Sequence, residues 1–167
     1  MKFYCALLND PKLLQCAREH GYQLAFLPPP HLQKYVEKFA ADPAVRLYDL
    51  NRQASYCEIF AASDLVVTDY SSVVFDFAYL RKPVIYTQFD KAEFFAKHNY
   101  SPGYFDYEKD GFGEVEYDLT GTVNRIIEYL ENGCRLKDRY RERIDGFFAF
   151  NDRNNCRRVF EKIINIT

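Results

Sequence analysis

The stretch Leu65–Asp90, LVVTDYSSVVFDFAYLRKPVIYTQFD, constrains the fold of this chain more than any other. An apolar run, Leu65-Val66-Val67, ends in a polar corner, Thr68-Asp69-Tyr70-Ser71-Ser72. A helix-length segment follows, and a second apolar run, Val84-Ile85-Tyr86, closes the unit. Strand, hydroxyl-rich turn, helix and strand in this order make a parallel crossover, because parallel strands cannot be joined by a tight hairpin. At the corner, the N–H groups of a helix N-terminus lie beside the hydroxyls of Ser71 and Ser72, which suits an anion such as a phosphate. The same serines also serve as ordinary helix caps.

The rest of the chain repeats this alternation. Met1–Asn9 reads as a short helix leading into a second one, Lys12–His20, with Pro11 in its first turn and Gly21 past its end. Gln23–Leu27 reads as a strand stopped by Pro28-Pro29-Pro30, which cannot donate to a ladder. His31–Ala40 has Leu32, Tyr35, Val36 and Phe39 at the spacing of an amphipathic helix. Val45–Leu50 follows as a strand, Ser55–Ala62 as a short helix capped by Asn51 or Ser55, and Lys91–His98 as a helix. Tyr100–Asp118, rich in glycine, acids and aromatics, reads as a long loop packing over a ligand or a second domain. The pattern predicts an α/β fold: a doubly wound, Rossmann-like parallel sheet with helices on both faces and its ligand beyond the C-terminal strand ends. The central helix, apolar nearly all round, is expected to lie deep against that sheet.

From Thr120 onward the pattern is helical. Val123, Ile126, Ile127 and Leu130 line one helix. Arg135, Arg139 and Arg143 recur at i, i+4 and i+8 with Lys137 and Arg141 beside them, which reads as a solvated helical face or a surface for anionic lipid or a polyanionic acceptor. The last amphipathic segment, Asn155–Ile166, is expected to pack back on the domain. One domain then spans residues 1–167, with a core over 1–118 and C-terminal helices over 119–167.

Composition narrows the function classes. A formal charge of −2 gives no argument for nucleic acid. Residues 121–167 carry ten Lys/Arg against seven Asp/Glu, so an anionic partner would prefer the C-terminal end. Five scattered cysteines without a CxxC pair read as reduced thiols of a cytoplasmic protein, and the loop acids match no Ca²⁺-loop spacing, so no metal and no cofactor is expected. No segment approaches the roughly 20 apolar residues of a membrane span. A cytoplasmic chain of this kind can still rest on the inner face of the plasma membrane.

Ser63–Asp90 and the run Gly103–Val115, GYFDYEKDGFGEV, resemble the C-terminal part of the CDP-glycerol glycerophosphotransferases, the teichoic-acid and capsule polymerases and primases of bacterial walls. The resemblance covers most of the chain. It implies half of a GT-B architecture: this domain would hold the CDP-glycerol donor, and an N-terminal GT-B domain missing from these residues would supply acceptor contacts and a base. It implies donor-phosphate contacts at Ser71, Ser72 and Thr68, donor positioning by Asp69 and Asp76, and a loop near the donor at Tyr104, Asp106 and Tyr107. The reaction implied is transfer of glycerol phosphate to an anionic cell-wall or capsule polymer with release of CMP. Pro29 stands where the family carries a histidine, and His31 follows two positions later. Either His31, the one catalytic candidate, substitutes through a changed loop, or donor catalysis is impaired. Neither a positioned histidine nor an acidic pair is evident beside the corner, so the isolated chain is expected to bind nucleotide weakly without turnover. The alternative is a non-catalytic nucleotide-fold binding or interaction domain.

Overall fold

The computed structural model describes residues 2–29, 32–35, 39–49, 55–97 and 103–166. Helices α1 (Lys2–Leu8) and α2 (Pro11–Glu19) meet at Asp10, whose carboxylate caps α2 by accepting from the N–H groups of Lys12 and Leu13 at 3.0 Å. Strand β1 (Ala25–Phe26) stops short of the prolines and pairs in parallel with β2 (Arg46–Leu47). Helix α3 (Tyr56–Ala62) opens on a capping box between Ser55 and Glu58. Then come β3 (Val66–Thr68), α4 (Val73–Tyr79), β4 (Val84–Thr87), α5 (Lys91–Lys97) and β5 (Gly113–Glu116). Helices α6 (Leu119–Glu131), α7 (Asp138–Phe147) and α8 (Asn155–Ile164) end the chain. The second sheet is parallel throughout, in the order β3-β4-β5, with Val66 opposite Val84 and Val84 opposite Gly113.

The α/β expectation therefore holds, with the parallel strands in two hydrogen-bonded groups. Strand β4 is buried along its whole length. On one face Ile85 joins Leu13, Ala17, Val123 and Ile126 of α2 and α6. On the other, Val84 and Tyr86 pack on Val74 and Phe77 of α4. That helix buries Val74, Phe77 and Ala78 but leaves Asp76, and Leu80 at its C-terminal cap, in solvent, so the segment is less enclosed than its composition predicts. All five cysteines are free thiols.

Four elements differ from the sequence reading. Within Tyr100–Asp118, read as a loop, the acidic run GEVE forms β5. Its glutamates are neutralised rather than solvated: Glu114, 5 % exposed, accepts from Tyr129 Oη at 2.7 Å, Lys137 Nζ at 2.6 Å and Arg139 Nη2 at 3.2 Å, and Glu116 accepts from Arg125 Nε at 2.8 Å. The basic stripe is correspondingly broken. Arg135 and Lys137 precede the first turn of α7, Lys137 and Arg139 bind Glu114, and Arg143 donates to the Gly111 carbonyl at 2.8 Å, so the last three hold β5 and the loop before it. Leu32–Tyr35 forms a 3₁₀ turn where an α-helix was expected, started by a 2.8 Å bond from the Leu32 N–H to the Pro29 carbonyl. His31, Asn51 and residues 36–38 lie outside the described residues. Finally, α8 does not pack back. Its start is tied to Tyr79 of α4, whose hydroxyl donates to the Asp152 carbonyl at 2.6 Å, while Val159, Phe160 and Ile163 remain at least 60 % exposed. No helix among the described residues is long and apolar enough to cross a membrane.

Two predictions follow from the β4–β5 contact and its ion pairs. A Cβ on Gly113 would stand 1.7 Å from the Val84 carbonyl oxygen, so Gly113→Ala must push the strands apart. The expected loss is about 3 kcal/mol, a fall in melting temperature of roughly 6–12 °C, read by thermal unfolding. Hydrogen bonding from Lys137, with the Arg125 charge in support, holds the Glu128 carboxyl below its ordinary 4.5. A lowered carboxylate stabilises the fold fully above its unfolded pKa and loses that contribution as pH falls through the folded value. Urea titrations below pH 4.5 should therefore show a shallower acid loss of stability for Glu128→Gln than for the parent.

Candidate functional site

The corner after β3 is built by residues far apart in the chain. Asp69 turns its carboxylate inward: Oδ1 accepts from the Tyr70 N–H at 2.7 Å and Oδ2 from the Tyr4 hydroxyl of α1 at 3.1 Å. Tyr4 also packs on Phe26 of β1 and Phe89 after β4, at 5.8 Å between ring centroids in each case. One α1 side chain thus joins both groups of strands at their C-terminal ends. Tyr70 stacks on Phe94 of α5 at 3.8 Å, reaches Asp90 Oδ1 through its hydroxyl at 3.4 Å, and meets the Tyr107 ring edge-on at 6.1 Å. Tyr107 in turn packs on Tyr86 at 5.0 Å, and the Tyr86 hydroxyl accepts from the Phe112 N–H at 3.2 Å. The loop before β5 is therefore fastened to the corner through aromatic contacts.

Burial, with the charges of Asp69 and Asp90 adding to it, pushes the phenols of Tyr4 and Tyr70 above the ordinary tyrosine range. Both remain protonated donors at neutral pH, and neither is a base. The two carboxylates bordering Tyr70 form an acidic grouping that the sequence reading did not see, because Asp69 and Asp90 come together only when β3 and β4 pair.

At the entry to α4, Ser71 and Ser72 are exposed. The Val73 N–H reaches Ser71 Oγ only at 3.4 Å, and Ser72, the residue at the cap position, makes no side-chain capping bond. Their hydroxyls are thus only lightly engaged by the protein, which weakens the pure capping explanation. Thr68 ends β3 and is half-buried beside them. Asp76 lies one turn into α4, on the exposed side that also carries Ser72.

The loop residues separate. Tyr107 belongs to the corner, whereas Tyr104 is 91 % exposed. Asp106 folds its own loop by accepting from the N–H groups of Lys109 and Glu108 at 2.9 Å, which holds its carboxyl below the ordinary range. Pro29 is exposed, with its carbonyl engaged by Leu32.

Gln88 escaped the sequence reading. It follows β4 directly, its N–H bonded to the Glu116 carbonyl at 2.8 Å, and strand alternation puts its side chain on the Tyr86 side, facing α4. The residue is 1 % exposed, yet neither its amide nitrogen nor its amide oxygen has a partner among the described residues. A buried amide left unpaired costs about 1–3 kcal/mol. Gln88 lies at the C-terminal end of its parallel strand, the same end of the sheet as the corner after β3. A separate cleft of about 610 Å³, lined by Arg81, Glu128, Arg135, Lys137 and Arg141, opens where α4 and α6 end, away from the corner.

Comparison with known proteins bears on the family and the fold of the chain. The model of the family described as CDP-glycerol:poly(glycerophosphate) glycerophosphotransferase matches residues 2–165. The minor teichoic acid biosynthesis protein GgaB of Bacillus subtilis (strain 168) is 39% identical over 163 residues, 98% of this chain and 17% of that protein. A teichoic acid poly(ribitol-phosphate) polymerase of Bacillus spizizenii is 28% identical over 122 residues, 70% of this chain and 18% of its own length. The solved structure of the wall teichoic acid polymerase TagF superposes with a TM-score of 0.65 at 20% identity, covering 95% of this chain and 37% of that one. The chain thus spans less than a fifth of these two curated relatives.

The corner makes a prediction of its own. Tyr4→Phe keeps the ring contacts but removes the donor to Asp69, a charged acceptor, at an expected cost of about 1.5–3 kcal/mol. Amide hydrogen exchange should quicken at Tyr70–Val73 more than in α6. Equal changes in both would contradict this view of the corner.

Proposed function

We propose, from the premise that the chain belongs to the CDP-glycerol:poly(glycerophosphate) glycerophosphotransferase family, that it is the donor-binding domain of a longer enzyme of teichoic-acid or capsule synthesis. In this reading the diphosphate of CDP-glycerol lies at the α4 entry, contacted by the hydroxyls of Ser71, Ser72 and Thr68. Asp69 contributes by shaping the turn, and the Gln88 amide offers a donor and an acceptor to the rest of the nucleotide. The observation that carries the reading is the corner itself: lightly engaged hydroxyls on a turn fixed by Tyr4, Asp69 and Tyr70, beside a buried amide with no partner among the described residues.

The reaction is attack by an acceptor hydroxyl on the β-phosphorus of CDP-glycerol. A new P–O bond forms to the polymer, the P–O bond to CMP breaks, and the acceptor proton passes to a base. Preorganised donors around the phosphates stabilise the charge that moves onto CMP. This chain supplies those donors. Tyr4 and Tyr70 stay protonated and the Asp69 carboxylate is engaged by the Tyr4 hydroxyl and the Tyr70 N–H, so in this reading the base comes from a facing domain together with the site for the anionic acceptor polymer. Pro29, which carries no N–H and no titratable group, favours a second reading, a module that binds nucleotide without catalysis.

Calorimetric titration of CMP and CDP-glycerol tests the first part. Saturable binding is expected, weakened about thirtyfold by Ser71→Ala/Ser72→Ala if each hydroxyl contributes an ordinary hydrogen bond of about 1 kcal/mol. A folded chain that shows no saturable binding at millimolar ligand would contradict it. CDP-ribitol run in parallel identifies the polyol. Release of CMP by the full-length protein supplied with acceptor polymer separates the transferase from the non-catalytic module.

A further inference from the structure

We infer that Cys16, His20 and Glu131 form a site for a thiophilic divalent cation, Zn²⁺ in the first instance, that clips α2 to α6. Cys16 and His20 are four residues apart, so they lie on the same side of α2, and His20 caps that helix by donating its N–H to the Cys16 carbonyl at 3.0 Å. Glu131 is the last residue of α6, more than a hundred positions further along the chain. The fold nonetheless brings one donor atom from each residue within 4.8 Å of the other two. In a filled tetrahedral site with bonds of about 2.0–2.3 Å, such donors stand roughly 3.5 Å apart. Rotation of the exposed His20 and Glu131 side chains closes that difference.

The surroundings suit a metal clip. Cys16 is buried in the cluster that α2 and α6 share, beside Tyr129 and Leu130, while His20 and Glu131 stand in solvent. The site therefore has an apolar floor, two polar walls and an open mouth. One sulfur, one imidazole nitrogen and one carboxylate select a borderline-soft ion over Mg²⁺ or Ca²⁺, which take oxygen donors. Three protein ligands leave a fourth position to water from the exposed side. Helix α6 starts just after the C-terminal end of β5 and is about 20 Å long, so its last residue lies toward the opposite end of the sheet from the corner after β3. The clip crosslinks α2 and α6, and it stands or falls independently of the donor site.

The test uses the chain with its exposed thiols removed, Cys57→Ser/Cys156→Ser, in a non-thiol reductant. Titration with Co²⁺ should give a thiolate-to-cobalt absorption in the near ultraviolet that saturates at one equivalent and is displaced by Zn²⁺. Zn²⁺ should also raise the melting temperature, as any ligand selective for the native state does. Cys16→Ser should abolish the absorption. His20→Gln and Glu131→Gln lie on the surface and keep the fold, and each should weaken Zn²⁺ binding by more than the roughly 10-fold that follows even from disturbing a ligand's outer partner. The proposal is overturned if the absorption is absent, or if Zn²⁺ affinity and thermal shift are unchanged in His20→Gln and Glu131→Gln.

Discussion

Complete burial of β4 is the constraint on which the rest of this structure depends. A strand with both faces and both edges covered dictates its neighbours: α2 and α6 over Ile85, α4 over Val84 and Tyr86, β3 on one edge and β5 on the other. The β5 edge is demanding because its residues are acidic. Its pairing requires Gly113, where any side chain would strike Val84, and cations from α6 and α7 to neutralise Glu114 and Glu116. The C-terminal helices thereby serve the sheet, and Arg143 reaches past it to hold the Gly111 carbonyl.

The sheet in turn fixes the corner. Because β3 and β4 run in parallel, Asp69 and Asp90 emerge at the same end, and Tyr70 sits where both can address it. Tyr4 locks the arrangement from α1, and Tyr107 joins the loop before β5 to it. The result is a rigid turn with the hydroxyls of Ser71 and Ser72 facing outward. That division of labour, inward carboxylate and outward hydroxyls, is what the proposed anion site would use.

Much of this was legible in the residues. The crossover from Leu65 to Tyr86, the cap at Ser55 and the stop at Pro28 are local, and local patterns of hydrophobicity and capping report them. Spacing and the family resemblance single out the corner serines, and the resemblance singles out Tyr107; the structure leaves both serines exposed and packs Tyr107 on Tyr70. What stayed hidden is non-local. Strand β5 alternates acids that look solvated until Lys137, Arg139 and Arg125 are folded onto them, and those same cations look free on their own helix until β5 is there. Tyr4 and Gln88 carry no local mark, since one meets its partner 65 residues away and the other is defined by lacking one. The outward course of α8 is similar: its amphipathic pattern shows that an apolar face exists, but the tether at Tyr79 decides where that face points.

In the proposed donor domain the α4 entry, rather than the basic cleft around Arg135 and Arg141, receives the phosphates of a cytidine nucleotide. Backbone and side-chain amide NMR shifts, followed as CMP is added to the isotopically labelled chain, test it most directly. The account predicts the largest shifts at the N–H groups of Tyr70–Val74 and at the Gln88 side-chain amide, with Arg135–Arg141 unmoved. Shifts centred on Arg135–Arg141, or none at saturating CMP, would contradict it.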